Sequence, residues 1–263
     1  MNQYLKNLNK IEFVITNACT GRCKHCSEGE HTSCGEHIDP QTAADAVRKV
    51  AEKYDIKTVM TFGGEPLLYI DAVYAIMSTA KELNVSRRQV ITNGYFSKDS
   101  RKIRDVAERL AECGVNDLRL SVDAFHQETI PLDIVKIFAQ EAKKSGIPIT
   151  LQPAWLQGRD ADNIYNQRTR EILDSFADMG FSVGDGNIIF HVFSSFQSSS
   201  NQRANSLFSR RLSGSFSGKE RICSPTIVAG RLDKTKILSA TEIASLISWV
   251  IKMAVFFSLR MIL

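Results

Sequence analysis

From Ile11 to about Phe193, short β-branched or apolar runs alternate with longer segments whose apolar residues recur every three or four positions. That alternation restricts the fold more than any other feature, because it is the signature of repeated βα units around a parallel sheet. Six strands are predicted: Ile11–Thr16, Thr58–Phe62, Gln89–Thr92, Asp117–Val122, Pro148–Gln152 and Asn187–Val192. The helical segments between them include Pro40–Lys53 and Lys98–Cys113. Six such units make an α/β fold, a partial (β/α)6 TIM-like barrel, and 263 residues suffice for one such core plus an appendage.

Parallel barrels carry their reactive groups on the loops that follow the strands, where rigid strand ends converge over the interior. Four polar motifs fall there. Cys19-Thr-Gly-Arg-Cys23-Lys-His-Cys26 follows the first strand, Gly63-Gly64-Glu65-Pro66 the second, Thr92-Asn93-Gly94 ends the third, and Ser121-Val122-Asp123 closes the fourth.

The spacing C-x3-C-x2-C lets three thiolates from one loop hold three corners of an iron–sulfur cube and leaves the fourth iron open to a small molecule. The alternative is a zinc site or a redox pair from Cys23 and Cys26, with Cys34 as fourth ligand; no second C-x2-C is present to complete a zinc ribbon. The two glycines permit a close backbone approach, and Pro66 suits the first position of a helix. Asn93, Ser121 and Asp123 offer amide, hydroxyl and carboxylate to a polar ligand, although Asp123 could equally cap the helix that follows or touch substrate.

These motifs together resemble the radical S-adenosylmethionine (SAM) superfamily. The resemblance covers about the first 193 residues and implies a [4Fe–4S] cluster on Cys19, Cys23 and Cys26, with SAM on its open iron. It places His25 near the adenine, and Gly63, Gly64 and Glu65 at the methionyl amino group. It places Asn93, Ser121 and Asp123 on the ribose or carboxylate. The implied reaction is reductive cleavage to a 5′-deoxyadenosyl radical that abstracts hydrogen from substrate, with the electron supplied by a flavodoxin- or ferredoxin-like donor. Gly-Gly-Glu-Pro and Ser-Val-Asp are most similar to branches that modify peptides or proteins; a small-molecule substrate is the alternative. A catalytically impaired iron–sulfur or zinc-binding protein is the reading from another class.

Beyond Phe193 the composition changes. Ser194–Gly218 is rich in serine, and no acidic residue occurs between Asn187 and Lys219. Residues 1–193 therefore read as the core domain. Residues 194–263 read as an irregular tail, either a flexible linker or out-of-frame sequence. The apolar stretch Ile243–Leu263, interrupted by Lys252 and Arg260, is barely long enough to touch or span a membrane. Net charge +4, with acids and bases interleaved, points to no nucleic-acid partner. The first residues lack a signal-peptide pattern, and the clustered thiols suit the cytoplasm better than a disulfide framework. Cys113 reads as a buried thiol, Cys34 and Cys223 as singletons, and His126 and His191 as structural histidines, with reach to the cavity as the alternative.

Overall fold

The computed structural model describes residues 7–26, 31–32 and 34–189, and the backbone of 226–229. The chain divides into two units, Met1–Arg231 and Leu232–Leu263, and every described residue belongs to the first. The serine-rich segment, the apolar C-terminal stretch, His191 and Cys223 lie outside the described residues. Among the described residues no helix is long and apolar enough to cross a membrane.

The elements run β1 (Lys10–Val14), α1 (Pro40–Ala51), β2 (Thr58–Phe62), α2 (Ile70–Glu82), β3 (Arg87–Thr92), α3 (Ser100–Glu112), β4 (Asp117–Ser121) and α4 (Leu132–Lys144). They continue as β5 (Ile149–Gln152), β6 (Ala154–Leu156), α5 (Ile164–Asp174), β7 (Ser182–Val183), β8 (Asn187–Ile189) and β9 (Thr226–Ala229). Seven strands form one open sheet in the order β7-β5-β4-β3-β2-β1-β9. Each neighbouring pair in it is parallel. This is the parallel α/β architecture expected of the βα alternation.

Strand alternation explains which face is covered. In β4, Leu118 and Leu120 are buried, whereas Asp117, Arg119 and Ser121 point the other way and are only partly covered. β1 repeats the pattern with Ile11 and Phe13 against Lys10 and Glu12. The apolar set joins Val47, Ile76, Met77, Ile103, Leu110, Val135 and Phe138 from the helices in one core. A parallel sheet covered on both faces reads as continuous apolar runs. Polar alternation therefore marks an inner face that helices leave open.

Three of the five described helices, α1, α3 and α5, begin at a side-chain cap. Asp39 accepts from the Thr42 N–H ahead of Pro40, Asp99 from Arg101, and Asn163 from Asn166.

Two assignments change at the sheet's edges. The sixth strand beside β5 is the two-residue β7, not Asn187–Val192; Asn187–Ile189 pairs instead with β6 in a separate two-stranded sheet. The chain turns away at Gly184, whose N–H bonds the Leu151 carbonyl, and at Gly186, where a side chain would collide with the Pro153 carbonyl. Residues 190–192 lie outside the described residues. At the other edge Thr226–Ala229, a strand within the stretch read as irregular tail, pairs in parallel with β1, with Lys10 opposite Thr226.

Candidate active site

The cysteine loop leaves β1 and is fixed at several points. Gly64 and Glu65 donate their backbone N–H groups to the Thr16 and Ala18 carbonyls, both at 2.7 Å. The Cys19 N–H bonds the Thr32 carbonyl, and the Cys26 N–H bonds the Cys23 carbonyl. Across the site, Arg22 N–H meets Thr129 Oγ1 at 3.0 Å and Lys24 pairs with Glu128 at 3.0 Å, joining this loop to the segment after β4.

Within the loop Cys19 is buried and Cys23 and Cys26 are half-buried; none of the described cysteines is disulfide-bonded. Burial first, then Glu65 and the Cys26 sulfur, pushes the Cys19 thiol up to about 11. Cys23 is driven higher still, by burial first and then by Asp123 and the other two cysteines. Three clustered thiols, of which burial keeps Cys19 and Cys23 protonated, suit a cationic metal centre, which would bind them as thiolates. The donor set fits an iron–sulfur cluster on these grounds. Cys34 is exposed, and Cys113 is buried at the C-terminal end of α3. His31, which no motif spacing marks, places Nε2 2.9 Å from the Cys26 sulfur while Nδ1 bonds the Asn17 carbonyl.

The Gly63–Gly64 pair is required by close packing of two backbones. A Cβ on Gly64 would come within 2.0 Å of the Ala18 carbonyl oxygen. One on Gly63, at φ +120, would come within 2.6 Å of the Thr16 oxygen. Glu65 is fully buried and braces the loop bases: Oε1 accepts from Leu67 N–H and the Thr92 hydroxyl, Oε2 from Asn93 N–H. Burial pushes its carboxyl up to about 7 although these three donors favour the charged form.

Asn93 is turned toward the cysteine loop. Its Nδ2 lies 3.5 Å from Cys19 Sγ and 3.2 Å from Thr20 Oγ1, and its Oδ1 accepts from Tyr95 N–H. Asp123 is fully buried and accepts four bonds, from Phe125 N–H, His126 N–H, His126 Nδ1 and Ala154 N–H. Burial raises its carboxyl, but the His126 imidazole and the bonds around it hold the net value below the usual range. Two of these bonds hold the turn at 124–129, where a helix was expected to follow, and the other two reach the His126 ring and β6. Ser121, by contrast, faces a cavity, and no described residue bonds its hydroxyl.

That cavity, about 220 Å³, is walled by Gln89, Arg119, Ser121, Gln152, His25 and His126, among others. His25 sits 4.9 Å from the Phe125 ring and 4.7 Å, edge-on, from the His126 ring. Its Nδ1 is buried with no hydrogen-bond partner among the described residues, and burial lowers its pKa to about 4. His25, Asp123 and His126 bring metal-binding atoms within 4.8 Å of one another. Asp123 already accepts four N–H bonds, so the trio reads as a hydrogen-bonded wall. The sequence reading noticed His126 but passed over Gln89, Arg119 and Gln152. Their signal is the period of two that puts Arg119 on the Ser121 face of β4.

A family model described as Radical SAM superfamily matches residues 13–192. Curated relatives include a probable GTP 3′,8-cyclase of Saccharolobus islandicus, 28% identical over 192 residues, which are 72% of this chain and 58% of the relative. Another, from Methanocaldococcus jannaschii, is 25% identical over 48% of this chain and 40% of its own. The chain thus spans about half the length of the curated relatives it matches. Among solved structures, Streptococcus suis SuiB bound to precursor peptide SuiA aligns with TM-score 0.52 at 16% identity, over 68% of this chain and 39% of that one. The protein anSMEcpe with bound AdoMet aligns with TM-score 0.50 at 15% identity, over 69% and 50%. At these identities the likeness is one of fold.

Proposed function

The chain belongs to the radical SAM superfamily, and we propose that it reductively cleaves SAM and directs the resulting radical at a hydrogen of a polar substrate held in the cavity beside Ser121. The observation that carries this reading is the convergence of Cys19, Cys23 and Cys26 on a loop that Gly64, Glu65 and Asn93 hold against the strand ends. Held by those three cysteines, a [4Fe–4S] cluster with one iron open to SAM would supply the electron that yields methionine and a 5′-deoxyadenosyl radical.

The remaining residues bind and orient. No described residue donates to the Gly63 or Gly64 carbonyl, so both can accept from the methionyl ammonium. The Ser121 hydroxyl is available to the ribose or the carboxylate. His25, buried beside Phe125, offers a ring face and an unpartnered nitrogen to the adenine. Covered loop bases exclude water from the radical, and rigid positioning selects which substrate hydrogen lies within reach. An external one-electron donor of the flavodoxin or ferredoxin class completes the system.

A small polar substrate is favoured by the size and lining of the cavity and by relatives named for a nucleotide. The motifs Gly63–Pro66 and Ser121–Asp123 support a second reading, a peptide or protein that inserts one side chain into the same cavity. The test is anaerobic reconstitution with iron and sulfide, addition of dithionite and SAM, and measurement of 5′-deoxyadenosine beside Cys26→Ala. Product that vanishes in the variant supports the proposal. A zinc-loaded protein, or an intact reducible cluster that forms no product, would overturn it.

A further inference from the structure

We propose that Arg119 anchors an anionic group of the substrate, a carboxylate or a phosphate, at the inner end of the cavity. The inference deepens the substrate reading above and rests on it. Arg119 shares the inner face of β4 with Ser121, two residues earlier along the strand, which puts it about 6.6 Å further from the strand's C-terminal end. The cysteine loop stands at the C-terminal end of β1. An anion on Arg119 therefore occupies a level below the cofactor motifs.

The charges around Arg119 leave a positive excess. Its Nε donates to Asp117 Oδ1 at 2.9 Å, and Nη1 donates to Gln152 Oε1 at 3.2 Å. The same Asp117 carboxylate also takes Arg87 at 2.5 Å and Gln89 Nε2 at 2.7 Å on its other oxygen. Two guanidinium groups thus share one carboxylate. The other carboxylate in the wall, Asp123, is engaged by four N–H donors, one of them the His126 ring. Gln89, Ser121, Gln152 and Asn187 contribute no charge.

The bonding capacity of Arg119 agrees with the charge. A guanidinium has five N–H donors, and only two have partners among the described residues. The side chain is 26% exposed and lines the cavity. Asp117 fixes Nε and Gln152 orients the plane, which leaves the fork to receive two oxygens of one anion. A lysine could not reproduce that bidentate geometry.

The test uses the full chain, purified anaerobically with its cluster reconstituted, and titrates inorganic phosphate and succinate separately by calorimetry. SAM affinity is measured in the same samples. Arg119→Gln is expected to weaken the better probe by at least about tenfold, with Arg119→Lys intermediate. Preference for phosphate or for succinate tells which class of anion the subsite takes. Should Arg119→Gln fail to fold because Asp117 is left short of a partner, the double variant Asp117→Asn/Arg119→Gln removes both charges. Equal binding by wild type and variants, or no binding of either probe by wild type, overturns the assignment. So does a variant that loses SAM affinity while its probe affinity stays, since Arg119 would then serve the cofactor. If phosphate or succinate binds through Arg119 but SAM is never cleaved, the radical reading fails and the anion subsite stands.

Discussion

The Asn93 amide nitrogen lies 3.5 Å from the Cys19 sulfur, and the backbone of Asn93 is itself held by Glu65 Oε2 at 2.9 Å. A carboxylate on the β2 loop thereby sets where an amide from the end of β3 meets a sulfur from the loop after β1. Glu65 acts on the site through Asn93 and is a positioning residue.

Glu65→Gln tests this arrangement. Both carboxylate oxygens accept from N–H or O–H donors, so whichever way a glutamine amide is turned, its nitrogen faces a donor. The expected cost is about 1–3 kcal/mol of stability, the range for a buried donor left without an acceptor. Urea denaturation of the apoprotein reads the loss. Iron content after reconstitution reads the displacement of Asn93, and a wild-type iron content in a destabilised variant would confine Glu65 to stability.

Much of this site was legible before any coordinates. β2 was placed to the residue, and β1, β3, β4 and β5 to within two residues at each end, because β-branched runs between caps and glycines are strong local signals. The C-terminal position of the four motifs followed from fold geometry. Other features were not legible for identifiable reasons. Ser182–Val183 is too short for a pattern of period two to register, while Asn187–Ile189 has the right composition but is redirected by tertiary packing at Gly186. The Gly-Gly pair predicts a close backbone approach to a ligand, whereas its immediate partner among the described residues is the Thr16–Ala18 backbone. Arg119 carries no signal in the sequence, because its significance depends on which strand face the helices leave bare.

Asn166 should be among the most sensitive positions away from the cysteines. It is fully buried and serves as a hub: Oδ1 accepts from Leu156 N–H, and Nδ2 donates to the carbonyls of Leu156, Gly158 and Ala161. These bonds close the loop between β6 and α5, next to the cavity wall at Ala154. Asn166→Leu leaves buried backbone groups unpaired, and a loss of about 2–4 kcal/mol is expected. Thermal denaturation measures it. A change under 0.5 kcal/mol would mean that water replaces the amide without penalty.

Asp39 gives a prediction with a pH sign. Its carboxylate accepts from the Thr42 N–H at 2.8 Å and the Thr42 hydroxyl at 2.7 Å, and these bonds, the backbone one first, lower its pKa below the usual 3.8. A carboxyl depressed on folding adds stability that is complete above its unfolded value and fades as pH falls through its lower folded value. Asp39→Ala should therefore cost about 1 kcal/mol at pH 7. The gap between variant and wild type should close below about pH 3.8. Paired urea midpoints across the acid range test the sign; a constant gap would show that the cap acts without its charge.

Gly64 and Gly146 separate two reasons for a glycine. Gly146 follows α4 at φ +81 with nothing within 4 Å of where a Cβ would stand, so Gly146→Ala meets backbone strain alone, about 1–2 kcal/mol. Gly64 has no such angle, but a Cβ there would stand 2.0 Å from the Ala18 carbonyl oxygen, a distance that no rotamer can relieve because both partners are backbone. Gly64→Ala must push the β2 loop away from the cysteine loop, breaking the 2.7 Å bonds to Thr16 and Ala18, at about 3 kcal/mol or more. Both variants lose stability, yet only Gly64→Ala should also lose iron on reconstitution. Iron retained by a folded Gly64→Ala protein would show that the cysteine loop holds its shape without the β2 loop against it.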